Sequence, residues 1–163
     1  MSSEILDVVN KNDKVVGMAT QDECYAKKLL HRIVHVLIFD NDGKMALQKR
    51  SQKKKFCPGY WSTAVGGHVG TGEDYQTAAE REYQEELGIN SELKFIGKDF
   101  YTDQNGLQKF LTTFQTIYTG KFNINPEAVD EIKYFTIEEL RQMVNNNTKI
   151  HPELLFLLKK YYL

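Results

Sequence analysis

The chain has 163 residues, with 21 Lys and Arg against 22 Asp and Glu, 41% hydrophobic and 26% charged. That length suits one domain over 1–163 with its own core, and a formal charge of −1 gives no electrostatic case for a nucleic-acid polymer or an anionic membrane as partner. The longest apolar run near the C-terminus, Leu154–Leu158, is far too short to span a bilayer, the start lacks the basic and apolar regions of a signal peptide, and Cys24 and Cys57 fit no metal-ligand spacing, so a cytoplasmic protein with free thiols is expected.

In chain order, Ile5–Val9 and Lys14–Ala19 are β-rich runs around Lys11-Asn12-Asp13 and read as a hairpin over 5–19. Thr20-Gln21-Asp22-Glu23 is a capping box, which predicts a short helix running to Leu29 or Leu30. Ile33–Phe39 is nearly all apolar and belongs in a core strand. Asp40–Gly43 turns it into Lys44–Lys49, where Met45 and Leu47 alternate with polar residues. Arg50–Pro58 is basic; it is either a solvated loop or one whose cations, Arg50 and Lys55 among them, meet an anionic substrate. A short strand Trp61–Val65 follows. Beyond the next helix come strands Leu93–Thr102, Leu107–Tyr118 and Asp130–Phe135. A second capping box at Thr136–Glu139 opens a helix to about Val144, and a last helix starts at Pro152 with Leu154, Leu157, Leu158 and Tyr161 on one stripe. Strands interspersed with helices give an α/β or α+β layered architecture.

The stretch from Gly67 to Ile89 is the most informative. A glycine-rich turn enters a charged helix in which Glu82, Glu85 and Glu86 stand at i, i+3 and i+4 on one face. Like charges so spaced repel, and the alternatives are a solvated acidic face or a bound cation. Carboxylate oxygens suit hard divalent ions such as Mg²⁺ or Mn²⁺. Gly67, Glu73, Arg81-Glu82, Glu85-Glu86 and Gly88 resemble the Nudix signature, Gly-x5-Glu-x7-Arg-Glu-U-x-Glu-Glu-x-Gly-U, at every fixed position. Tyr83 stands where an aliphatic residue is more usual.

The resemblance implies a Nudix fold, a mixed β-sheet sandwiched between α-helices, and divalent-metal-dependent cleavage of a nucleoside diphosphate linked to another group. It implies metal ligation by Glu82, Glu85 and Glu86 with the carbonyl of Gly66, and a supporting ion pair between Arg81 and Glu73. Glu82 can alternatively be the base, as can Glu131 at a strand edge. His68, beside the phosphate-facing turn, joins Arg50 and Lys55 as a substrate-binding candidate. The substrate is then a small-molecule diphosphate, and the assembly, monomer or homodimer, is open.

Outside the signature, Leu6–Asn10, Leu30-His31-Arg32 and Gly67-His68 resemble the Nudix subgroup related to isopentenyl diphosphate isomerase. Those isomerases carry a catalytic cysteine directly before the Gly-His pair, where this chain has Gly66, and metal-binding glutamates that fall near Leu107 and Lys109. An isomerase-like enzyme and a non-catalytic nucleotide sensor are therefore alternatives with less support than a hydrolase. His31, His35 and His68 form either a second metal site or a set of hydrogen-bonded structural residues. Specificity is expected in Arg50–Tyr60, Asp99–Leu107 and Asn123–Asp130, with Tyr60, Phe100 and Tyr101 as candidate base-stacking side chains.

Overall fold

The structure, a computed structural model, describes residues 3–163. Its elements are β1 (Ile5–Val9), β2 (Val15–Thr20), α1 (Gln21–Ala26), β3 (His31–Phe39), β4 (Met45–Arg50), β5 (Trp61–Thr63), β6 (Val65–His68), α2 (Tyr75–Leu87), β7 (Lys94–Thr102), β8 (Gln108–Ile117), β9 (Val129–Phe135), α3 (Ile137–Asn145) and α4 (Pro152–Tyr161). β1 and β2 form the expected antiparallel hairpin, and the other seven strands make one mixed sheet. In that sheet β3 runs parallel to β8, and β4, β6, β7 and β9 pair antiparallel to their neighbours.

The sheet has two covered faces. Val34, Val36 and Ile38 of β3 and Ala46 of β4 pack against Ala78, Ala79, Tyr83 and Leu87 of α2. On the other face Leu37, Met45 and Leu47 meet Leu140 of α3 and Leu154 and Leu158 of α4. Each fully buried leucine on this face contributes about 1.5–3 kcal/mol. The layered mixed sheet between helices is the architecture the resemblance implied.

Two boundaries differ from the sequence reading. α1 keeps its capping box but ends at Ala26, because Lys28 turns into the left-handed region (φ 55°) and the Leu29 N–H closes onto the Cys24 carbonyl at 2.9 Å. The strand expected over Trp61–Val65 breaks at Ala64. Its first half pairs with β4, and its second half, extended to His68, pairs with β3. β3 and β4 are themselves paired only at Ile38–Ala46 and Phe39–Met45. From there they splay, and the bent segment 61–68 follows one arm inward and the other outward.

The N-terminal hairpin is tied down by a buried charge. Asp13, at the turn, accepts from Arg32 Nε (2.7 Å), Tyr75 Oη (2.8 Å) and Lys98 Nζ (2.8 Å). Burial works against this carboxylate, yet the three donors hold it below its ordinary range. The hairpin is thus joined to β3, α2 and β7 at one point.

Candidate active site

Asp74 caps α2 by accepting from the Thr77 N–H at 2.7 Å, and Gly88 ends it in a left-handed turn (φ 67°) that a side chain would resist. Between those caps, Glu82 and Glu86 lie one turn apart on the same face, close enough for the charge of Glu82 to act on Glu86. Glu86 is buried and also accepts from Gln48 Nε2 at 2.6 Å; the same nitrogen donates to the Ala64 carbonyl at 3.0 Å. Burial, then the charge of Glu82, pushes the Glu86 carboxyl well above the carboxylate range. Burial also raises Glu82. Two carboxyls in this state are short of positive charge.

Room for Glu82 is made by a missing side chain. A Cβ at Gly67 would fall 2.5 and 2.6 Å from the Glu82 oxygens and nearer still to its carboxyl carbon. Arg81 locks the surroundings. It grips Glu73 with Nε and Nη2 at 2.8 Å each, reaches Glu82 at 2.9 Å and Glu85 at 3.2 Å, and donates to the His68 carbonyl at 3.1 Å. Glu73 in turn accepts from the Gly70 N–H at 2.7 Å, so turn and helix are held in register as expected.

Glu82 and Glu86 converge; Glu85 does not join them. Its side chain is 55% exposed and directed to Arg81. Among the described residues no three His, Cys, Asp or Glu side chains stand ready to hold an ion. The paired buried carboxyls beneath Gly67 nevertheless have the oxygen donors and the deficit of positive charge that a hard divalent cation would satisfy.

Other candidates separate in the same way. Glu131 is exposed and pairs with Lys49, on the sheet face opposite the one that Gln48 and Ile132 present to α2, so it is remote from the carboxyl pair. That placement removes it as base. Lys55 is exposed, whereas Lys54 carries the loop charge that acts on both Glu86 and His68. Arg50 is spent partly on its own loop, donating to the Phe56 carbonyl at 3.0 Å. Tyr101 is buried against Phe156, whereas Phe100 meets Phe110 edge-on and stays exposed. Two contributors escaped the sequence reading, Gln48 and Glu4, and Lys54 was read only as one of the lysines of the basic loop. The Glu4 carboxyl lies 3.9 Å from Arg81 and is raised by burial and by Glu82. The polar Gln48 among the apolar residues of β4 was the one visible signal.

The face of the sheet opposite the carboxyl pair carries a second polar group. Buried Glu153, at the start of α4, accepts from Lys109 Nζ and His35 Nε2 at 2.8 Å each. Burial alone would raise Glu153, but Lys109 and His35 hold it well below the carboxylate range. Lys109 also donates to Tyr25 Oη (3.1 Å), which leaves the tyrosine proton for His68 Nε2 at 2.9 Å. His68 is accordingly neutral, pushed down to about 3 by burial. His31 donates from Nδ1 to the Leu29 carbonyl and is pushed to about 4, again by burial. A lysine ammonium therefore stands among the histidines where a second metal ion would have to go. His35 and His68 are joined to that ion pair by hydrogen bonds, directly and through Tyr25, while His31 Nε2 is buried without a partner among the described residues.

A mixed sheet between helices, with an Arg-clamped pair of glutamates on the helix after a glycine turn, defines a phosphorus–anhydride hydrolase scaffold. Residues 29–157 match the NUDIX domain model. The chain is 31% identical over 154 residues to the isopentenyl-diphosphate Delta-isomerase 2 of Photorhabdus laumondii, covering 91% of this chain and 86% of the relative. It is 36% identical over 130 residues to an uncharacterized Nudix hydrolase of Streptomyces coelicolor, covering 78% and 72%. A crystal structure of a Deinococcus radiodurans protein superposes with a TM-score of 0.85 at 25% identity, covering 98% of this chain and all of that one. The chain belongs to the Nudix hydrolase family, whose members hydrolyse phosphorus-containing acid anhydrides, nucleoside diphosphate derivatives among them, and generally use divalent metal ions.

Proposed function

We propose that this chain hydrolyses the diphosphate bond of a small nucleoside diphosphate derivative, with Mg²⁺ or Mn²⁺ held by Glu82 and Glu86 and by the carbonyl of Gly66. The observation that carries the reading is the buried Glu82–Glu86 pair, protonation-prone for want of a cation and fitted beneath Gly67. Bound there, the ion would neutralise the diphosphate and acidify an attacking water. The protein's part is positional. Gln48 fixes one oxygen of Glu86, Arg81 orients Glu82 and anchors the turn through Glu73, and Glu85 supports Arg81 from the solvent side. Glu82 is the carboxylate beside the site that can also take the proton of the water. Lys54, whose charge acts on both Glu86 and His68, brings positive charge to the substrate's outer phosphate. A single working domain in the cytoplasm, with no polymer or membrane partner, is the setting this reading supposes; no helix among the described residues is long and apolar enough to cross a membrane.

The isomerase name of one relative favours a second reading, in which a double bond is moved by protonation and deprotonation. Against it, Gly66 stands where that chemistry needs a thiol, and Cys24 is buried in α1. Lys109 occupies the histidine cluster. The test is phosphate release, after phosphatase treatment, across a panel of nucleoside diphosphate derivatives with either ion, run beside Glu86→Gln. Turnover that disappears in the variant is the expected result. A panel without turnover, together with conversion of an isoprenoid diphosphate to its double-bond isomer, would reverse the choice.

A further inference from the structure

β6 is a wall with a different neighbour on each side. Towards α2, Gly67 leaves the space that Glu82 fills. Towards α4, a Cβ at Gly66 would lie 3.1 Å from His35 Nδ1, because Gly66 is the register partner of His35 on β3. The strand carrying the proposed carbonyl ligand thus rests on an imidazole.

That imidazole is itself held from both ends. His35 Nε2 donates to the Glu153 carboxylate at 2.8 Å, and Nδ1 meets Thr63 Oγ1 at 2.7 Å. Thr63 Oγ1 also lies 2.9 Å from the Val65 carbonyl, so the hydroxyl stands between the ring and the backbone of the bend. The line therefore runs Lys109, Glu153, His35, Thr63, Val65 without a gap, and every member is buried. Its far end is the backbone at the bend of segment 61–68, one residue before Gly66. Glu153 also sits beside the second arm of that bend: the His151 N–H donates to the Trp61 carbonyl at 2.8 Å, and the Glu153 N–H donates to His151 Nδ1 at 3.1 Å. The first turn of α4 is thereby fastened to β5 through Trp61 and to β3 through His35.

We propose that Glu153 and His35 are positioning residues for the metal site: from the opposite face of the sheet they fix the backbone of Val65–Gly67, and with it the Gly66 carbonyl and the slot for Glu82. This rests on the hydrolase reading above. Neither residue touches the carboxyl pair and neither lies in the signature; the link runs through Thr63 to the bend at Ala64 and through the contact of Gly66 with the His35 ring. Groups that hold metal ligands from behind typically cost about 10- to 100-fold in metal affinity or activity when they are lost.

The experiment compares wild type with Glu153→Gln, Thr63→Val and Thr63→Ser. Tyr161→Phe, which removes a hydrogen bond to Asp99 well away from the bend, is the control for general destabilisation. Mn²⁺ binding is measured by electron paramagnetic resonance without substrate, and kcat and KM by phosphate release at several Mn²⁺ concentrations. Thr63→Val keeps shape and charge while cutting the line, so the inference stays testable if Glu153→Gln fails to fold. The expected result is Mn²⁺ affinity weakened about tenfold or more in Glu153→Gln and Thr63→Val, near wild type in Thr63→Ser and Tyr161→Phe, with KM for the diphosphate little changed at saturating metal. Loss of melting temperature with unaltered Mn²⁺ affinity and kcat in both cutting variants would overturn the proposal. A wild type that binds Mn²⁺ but turns over no diphosphate would instead overturn the hydrolase reading, and the Mn²⁺ arm would still decide this one.

Discussion

Gly67→Ala tests the site at its tightest point. The added methyl would stand 2.5–2.6 Å from both Glu82 oxygens, where real Cβ contacts essentially never fall below 3.0 Å. The carboxyl, whose carbon would lie nearer still, must therefore retreat by about 0.8 Å or more, or β6 must lift away from α2. Neither is free. Glu82 is held by Arg81 at 2.9 Å, and β6 is paired with β3 along four residues. Overpacking of this kind costs about 1–3 kcal/mol of stability. The larger effect should be on chemistry, since misplacing a reacting group by ~1 Å can cost about 100-fold in rate, or ~2.7 kcal/mol of barrier. We expect kcat for the best panel substrate to fall by roughly 10- to 100-fold, with the circular-dichroism spectrum unchanged and the melting temperature lowered by a few degrees. A Gly67→Ala protein with wild-type kcat and wild-type Mn²⁺ affinity would show that Glu82 does not work from the slot beneath Gly67.

Glu86→Gln should abolish turnover yet stabilise the metal-free fold near neutral pH. The folded-state proton affinity of Glu86 is raised, so stability from this group is present at low pH and lost as pH rises through its folded value. In chelator, the melting temperature of the variant should exceed wild type at about pH 8, and the gap should close towards about pH 4, near the ordinary carboxylate range. A gap that is constant with pH would contradict the burial argument. Lys54→Ala should raise KM about 3- to 10-fold with kcat nearly intact, the pattern of lost uniform binding, whereas Lys53→Ala, whose ammonium pairs with Glu127, should leave both constants alone. Steady-state kinetics on the two variants side by side checks this. Tyr83→Phe breaks the 2.8 Å bond to Ser91 Oγ and should cost about 1 kcal/mol in denaturant unfolding without changing kcat.

Tyr83 also shows how far the sequence could be read. Its position was legible as a buried one, because the signature it resembles calls for a bulky apolar residue there and Tyr83 is large enough to pack. Its hydroxyl was not, since the partner Ser91 and the next link, Thr116 at 2.7 Å, come from a loop and a distant strand. The same division runs through the site. Glu73, Arg81 and Glu82 lie within ten residues of one another and their ion pairs follow from a turn and a helix. Gln48, Glu4 and Lys54 reach the carboxyls only after β4, the hairpin and the basic loop have folded over them. Glu131 failed for a related reason. A strand period places a residue on one of two faces, and nothing local says which face is α2's until the pairing of β9 with β4 is known.

One scaffold carries names for two chemistries among this chain's relatives, and the polar layer behind β6 explains how the choice can be made without altering the fold. The isomerase reading needs a proton donor and acceptor there, or a metal ion among the histidines. In this chain the same space holds Lys109 and Glu153, an ion pair whose members are each 4% exposed and satisfied at 2.8 Å. A buried pair of this kind is costly to break and slow to release a proton to substrate, because removing either partner strands the other charge. The histidines around it are neutral or already donating. Proton chemistry is thereby withdrawn from one side of the strand, while on the other side two glutamates are left crowded and short of positive charge. On the proposed reading the reactive carboxylates stand on the α2 face, and the opposite face is the part that holds them still.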